Sequence, residues 1–325
     1  MDSSTRRAWG VRALQLLASI AVLVTLAQSA DTDRVWEMLT QGMPAWLVGA
    51  LLLKAASIVL HEVRLWHALP APRPSLRAVI RIGLIAGTLN LALPARAGDL
   101  SALALLRRDC GVSVGTAGAA VGLVAFLEMA VFAVFLLGAL VIGASRWELL
   151  LGAAAHARAL KLTTLGTLAA AAGAVVIVAL ARRLKSPPQA AAPGPVSLLR
   201  EGLSTAASAL STARWLGAHL AMTAAQVALM LAAAAALFPM LRLPVPLPGL
   251  AAAGVMAGAS VAGVVLPPGF GAGPAAVSVA LLAPLGITET GALAYAAGFW
   301  LLGSLPTVLL GLPALWWRDG DRLRA

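Results

Sequence analysis

The chain has 325 residues, of which 60% are hydrophobic and only 11% charged, and its mean hydropathy is +0.90. A soluble domain of this size carries roughly 25% charged residues, and no stretch of this sequence reads as a separate soluble domain. The net charge of +11 sits mainly on Arg in short connections between apolar runs, which suits helix orientation and anionic phospholipids at the cytoplasmic face rather than nucleic acid.

One cysteine, Cys110, excludes an internal disulfide. The four histidines, His61, His67, His156 and His219, lack metal-ligand spacing. No metal and no cofactor are expected.

Arg6, Arg7 and Arg12 precede an apolar run, and Ala27-Gln28-Ser29-Ala30 resembles a signal cleavage site. The run is long for a signal segment, so an uncleaved first span over 11–30 is expected. Five more runs are long enough to cross a bilayer, at 43–61, 112–142, 162–181, 215–238 and 289–313. Trp36, Trp46, Trp66, Trp147, Trp215, Trp316 and Trp317 fall near span ends, as an interfacial belt should.

Two further apolar segments are broken. One covers 79–106 and is interrupted at Leu93-Pro94-Ala95-Arg96-Ala97-Gly98-Asp99; the other covers 249–285 and is interrupted at Leu266-Pro267-Pro268-Gly269-Phe270-Gly271. Proline removes a backbone donor, and unpaired backbone groups cannot face lipid. Both segments are therefore expected to be re-entrant helical hairpins. Pro94 and Gly98 align with Pro267 and Gly271 at one constant offset, which points to an inverted repeat with a substrate site near the midplane.

Arginine placement puts the N- and C-termini in the cytoplasm, with Arg64, Arg73, Arg77 and Arg81 in an inner connection. The loop 143–161, placed outside, carries Arg146, Arg158 and Lys161 against that rule. The expected fold is all-α and polytopic, with about six full spans plus the two hairpins. Its first repeat is 1–185, its flexible cytoplasmic linker 186–197, and its second repeat 198–325.

Arg96 and Asp99 at the first break are candidate substrate-binding groups, since ionisable side chains at membrane depth are costly and usually functional. An Arg fork suits phosphate, and half-helix N-termini after Gly98 and Gly271, beside Gly269, add free N–H groups. An Arg96–Asp99 pair that merely pins the hairpin is the alternative. Asn90 stands one turn before Pro94 and can bond freed backbone or a head group. Lys54, Ser57, His61 and Arg64 share one helical face. Lys54 or His61 is expected to approach Glu128, which lies mid-span. Gln226, Tyr295 and Trp300 read as packing residues or substrate contacts.

The segment Gly87-Thr88-Leu89-Asn90-Leu91-Ala92-Leu93-Pro94-Ala95-Arg96-Ala97-Gly98-Asp99-Leu100 resembles the lysylphosphatidylglycerol synthase transmembrane family, the flippase-like domain of the multiple peptide resistance factor. Leu266 to Gly271 is similar to that family's C-terminal Gly-rich element. The sequence departs from the pattern at Pro274, where the family usually has Glu. It departs again at Phe299 and Trp300, where an Arg is common, and at Ala125, one turn before Glu128. These departures suggest a different lipid. The resemblance implies a bacterial inner-membrane transporter that moves an amphipathic phospho- or glycolipid between leaflets, without enzymatic activity. Two rivals stay open: a membrane-embedded enzyme on a lipid or polyprenyl carrier, and an accessory subunit of an envelope-synthesis complex. A homo-oligomer is also open.

Overall fold

The computed structural model describes residues 31–92, 97–142, 213–265 and 271–316 continuously, with residue 144 and shorter stretches between 20 and 28, 157 and 179, and 201 and 206. Outside the described residues lie Leu93 to Arg96, Leu266 to Phe270 and the linker 186–197, as do most of the loop 143–161 and most of the expected first span. Among the described residues every regular element is helical.

A short helix α1 (Thr32–Thr40) is capped by the Asp31 carboxylate, which accepts from the Arg34 N–H at 2.9 Å. Helix α2 (Pro44–Ala68) follows, then α3 (Leu76–Ala92), α4 (Ala97–Cys110) and α5 (Val114–Ile142). Beyond the linker come α6 (Ala213–Ala235), the short α7 (Leu237–Met240), α8 (Pro248–Val265), α9 (Ala272–Leu282) and α10 (Glu289–Trp316). Four stretches are long and apolar enough to cross a membrane: Pro44–Ala68, Val114–Ile142, Arg214–Met240 and Glu289–Trp316. Large apolar side chains such as Leu52, Met129 and Leu309 stand exposed on them, as lipid-facing residues do. Of the expected 162–181 span, residues 160–168 are helical and much of the remainder is outside the described residues.

Helix α2 runs seven residues past the expected end at 61. The expected inner connection containing Arg64 is corrected accordingly: Arg64 lies within the helix, fully buried. Charge alone suggested a loop, but partners from other helices hold the two terminal nitrogens of this guanidinium inside the bundle.

The chain falls into two compact units. One takes Met1–Lys54, Ala139–His156 and Met230–Pro306; the other takes Ala55–Gly138, Ala157–Leu229 and Thr307–Ala325. Each draws on chain from both sides of 186–197.

In the first unit, the Met43 N–H donates to the Met240 carbonyl at 3.0 Å and ties the start of α2 to the end of α7. Tyr295 on α10 is buried, stacks on Phe238 at 4.3 Å and donates to the Ala234 carbonyl at 3.2 Å. Helices α8 and α9 pack side by side, with Gly258 against Val277.

In the second unit, α2, α3, α4 and α5 share one core: Leu65 and Ala68, then Val79, Ile82 and Ala86, then Ala102 and Leu106, then Ala117, Ala120 and Val124. Lipid offers no hydrophobic drive between helices, so close van der Waals contact must hold them. The alanines in this core allow that approach. Helices α3 and α4 form an antiparallel pair: Arg81 reaches Asp109 at 2.6 Å at the open end, and Asn90 reaches Asp99 at 2.7 Å at the closed end. With 17 and 14 residues, the arms span about 25 and 21 Å at 1.5 Å per residue. Neither matches a hydrocarbon core of about 30 Å. The end of α10 is fixed to α3, where the Thr88 hydroxyl donates to the Thr307 carbonyl at 3.3 Å and Gly311 lies against the same side chain.

Candidate functional site

The second unit gathers a polar cluster from three apolar helices. Arg64 sits on α2, Glu128 on α5 and Gln226 on α6. Leu65, Val124 and Val227, their near neighbours in sequence, are buried apolar residues. An Arg side chain is expensive in such surroundings unless its charge and its donors are both met.

Arg64 has no exposed side-chain surface. Its Nη2 donates to the Val124 carbonyl at 2.9 Å. Its Nη1 donates to Gln226 Oε1 and, at 3.4 Å, to Glu128 Oε2. The Gln226 amide then turns its Nε2 to Glu128 Oε2 at 3.0 Å. Gln226 is thus a bridge whose two ends fit opposite partners: oxygen to the guanidinium, nitrogen to the carboxylate.

His61 completes the cluster, with Nδ1 3.3 Å from Glu128 Oε2. An ionised carboxylate only accepts, so the hydrogen of that contact belongs to Nδ1. Protein leaves 39% of the His61 side chain and 27% of the Glu128 side chain uncovered, against none of Arg64. The reachable groups are therefore the imidazole and the carboxylate, and the guanidinium acts behind them as a fixed counter-charge.

The expected approach of His61 to Glu128 is what the structure holds. Ser57, on the same face of α2, is buried. Lys54 stands seven residues before His61 on that helix and belongs to the other compact unit.

The first break is placed only in part. Arg96 lies outside the described residues. Asp99, in the first turn of α4 where a negative charge suits the helix dipole, accepts from Asn90 Nδ2 at 2.7 Å. Gly98 is where the two arms touch, since a Cβ there would meet the Ala86 carbonyl at 2.0 Å and Asn90 Oδ1 at 2.5 Å. Asn90 and Asp99 thus fasten the arms, while the Arg96–Asp99 pair considered above falls outside the described residues. At the second break Gly269 is outside the described residues, whereas Gly271 precedes α9 with φ +70° and lies against Trp300. Tyr295 is a packing residue with one hydrogen bond, as described above.

Sequence reasoning passed over Glu62, which is buried against Gly83. A carboxylate just past the apolar run 43–61, between His61 and Arg64, was the available signal. It also passed over a group around His219: His67 lies 4.5 Å from the Trp215 ring and 5.2 Å from the His219 ring, and Arg73 stacks over Trp66 and Trp215 at 5.2 and 5.1 Å. Among the described residues no three His, Cys, Asp or Glu side chains come together to hold a metal ion.

The profile of the lysylphosphatidylglycerol synthase TM region matches residues 12–311. The chain belongs to the lysylphosphatidylglycerol synthase TM family. No curated protein sequence matches it. The matched stretch contains every side chain of the His61–Arg64–Glu128–Gln226 cluster as well as both broken segments. This member of the lysylphosphatidylglycerol synthase TM family is a multi-pass membrane protein with a role connected to membrane lipids.

Proposed function

We propose that the protein is a flippase-like transporter that moves an amphipathic phospho- or glycolipid between the leaflets of a bacterial cytoplasmic membrane, with both termini in the cytoplasm. The cluster of His61, Arg64, Glu128 and Gln226 supports this reading best. Four polar side chains drawn from three apolar helices cost stability, and packing alone gives no reason to keep them. The uncovered faces of Glu128 and His61 offer a passing head group an acceptor and a ring nitrogen, while the acyl chains stay in lipid. The helix–break–helix plan common to 76–110 and 248–282 supports two re-entrant hairpins of an inverted repeat. Anionic phospholipid at the cytoplasmic face would meet Arg77, Arg107 and Arg108.

A transporter is favoured over an enzyme because Glu128, the natural general base, is already engaged by Arg64, His61 and Gln226. The test is a leaflet assay in vesicles of phosphatidylglycerol and phosphatidylethanolamine carrying a trace of fluorescent phosphatidylglycerol. Wild type should expose inner-leaflet label to an external quencher, and Glu128→Gln should slow this at least about tenfold, the loss expected when a buried charge partner goes. Quenching no faster than in protein-free vesicles, or a change in lipid mass, would overturn the reading.

A further inference from the structure

Glu62 is the only carboxylate of α2, and it stands apart from the cluster formed by its neighbours His61 and Arg64. It is 5% exposed, and its Oε2 has no hydrogen-bond partner among the described residues. The carboxylate rests directly on the backbone of α3: a Cβ at Gly83 would lie 1.7 Å from Oε2 and 1.9 Å from Cδ. A methyl group at Gly83 would push the carboxyl end of Glu62 aside. The residues around this contact on both helices, Ile58 and Leu65, then Val79, Ile82 and Ala86, belong to the apolar cores.

The charged groups nearby are otherwise engaged. On α2, His61 interacts with Glu62 and bonds Glu128, and Arg64 is held by Glu128 of α5 and Gln226 of α6. On α3, Arg81 is paired with Asp109 of α4, while Asn90 is bonded to Asp99 of α4. The end of α10 that packs on α3 brings Thr307, Gly311 and Ala314, none of which titrates.

We propose that Glu62 is a proton-binding site that couples lipid movement to the proton gradient, an inference that rests on the transporter reading above. A negative charge on this carboxyl has no donor on Oε2 among the described residues and is almost wholly covered by protein, and a bound proton is what neutralises it. His61 links it to the outside of the protein, being partly uncovered and adjacent in sequence. The proton reaches the imidazole as an O–H bond of hydronium breaks and an N–H bond forms, leaving water behind. An N–H bond of the ring then breaks as a Glu62 O–H bond forms, and the imidazole returns to its neutral state. With Glu62 neutral, Arg64 and Glu128 balance each other. With Glu62 ionised, Glu62 and Glu128 together face the one buried guanidinium of Arg64, and any conformation that wets Glu62 gains.

The experiment uses the full chain in vesicles of phosphatidylglycerol and phosphatidylethanolamine with trace fluorescent phosphatidylglycerol and an imposed pH difference. One proton per lipid sets a leaflet asymmetry of about tenfold per pH unit. Wild type should build that asymmetry, and Glu62→Gln should redistribute label without it. Wild type that redistributes label but ignores the pH difference overturns the coupling and leaves the transporter reading standing. Wild type that moves no label removes both. Infrared difference titration in nanodiscs addresses the residue without transport: a protonated-carboxyl band at neutral pH, lost in Glu62→Gln, is expected, and its absence overturns the assignment. If Glu62→Gln does not fold, Glu62→Asp keeps the acid but draws it back from Gly83. The pH at which the band disappears should then move, and an unmoved band overturns the proposal.

Discussion

Arg64 grips α5 twice, through the Val124 carbonyl at 2.9 Å and the Glu128 carboxylate at 3.4 Å. Val124 and Glu128 are one helical turn apart, so both contacts fall on one face of α5. The planar fork of a guanidinium can span that distance and still reach Gln226; an ammonium cannot.

Replacing Arg64 with Met should leave Glu128 charged and without its buried guanidinium partner. Breaking one side of a buried pair costs roughly 3–5 kcal/mol. The detergent-solubilised variant should melt well below wild type, and Arg64→Lys should recover only part of the difference. A lysine variant that melts with wild type would mean that the fork geometry is irrelevant.

Gln226→Leu removes an acceptor from Arg64 and a donor from Glu128 at once. Each unmet group costs about 1–3 kcal/mol. A double-mutant cycle with Glu128→Gln should be strongly non-additive, because both changes act on one network. Simple addition in thermal unfolding would show that the two side chains are energetically separate.

Gly98→Ala should push α3 and α4 apart, since the new Cβ would sit 2.0 Å from the Ala86 carbonyl. Overpacking of this kind costs typically 1–3 kcal/mol. A cysteine pair placed across the arms should cross-link more slowly in the variant. Unchanged cross-linking would show that the hairpin absorbs the methyl group.

Asp109, at the open end of the hairpin and outside the spans, answers to pH. A hydrogen bond from Arg108, with the charges of Arg108 and Arg81 beside it, holds its carboxyl below the usual range. The folded value lies below the unfolded one. Its stabilisation is therefore complete above the unfolded value of about 4 and is lost as pH falls through the folded value. The melting temperature should be insensitive to this group between about pH 5 and 7. Below that range wild type should lose stability that Asp109→Asn does not. Parallel acid limbs would remove Asp109 from the account.

Much of the helical layout was legible because apolar run length is a local property. The run at 112–142 became Val114–Ile142, and the run at 289–313 became Glu289–Trp316. Described helices end at Ala92 and Val265 and begin again at Ala97 and Ala272, on either side of the two proline-containing stretches. Charge misled the reading at Arg64, since a loop and a buried ion pair look alike until the partner is known. Gln226 and Glu128 lie 98 residues apart, and no periodicity within either helix could announce that they meet. Glu62 was missed for a related reason: its meaning comes from the bare backbone of Gly83, which is a feature of packing rather than of spacing.

The bond from Thr88 to Thr307 has a practical side. The last stretch of α10 rides with the hairpin arm that carries Asn90. A bulky fusion joined after Trp316 would therefore load the hairpin mechanically, and loss of activity in such a fusion need not mean poor expression. A small fluorophore at the same place would serve as a strain gauge for the hairpin while lipid moves.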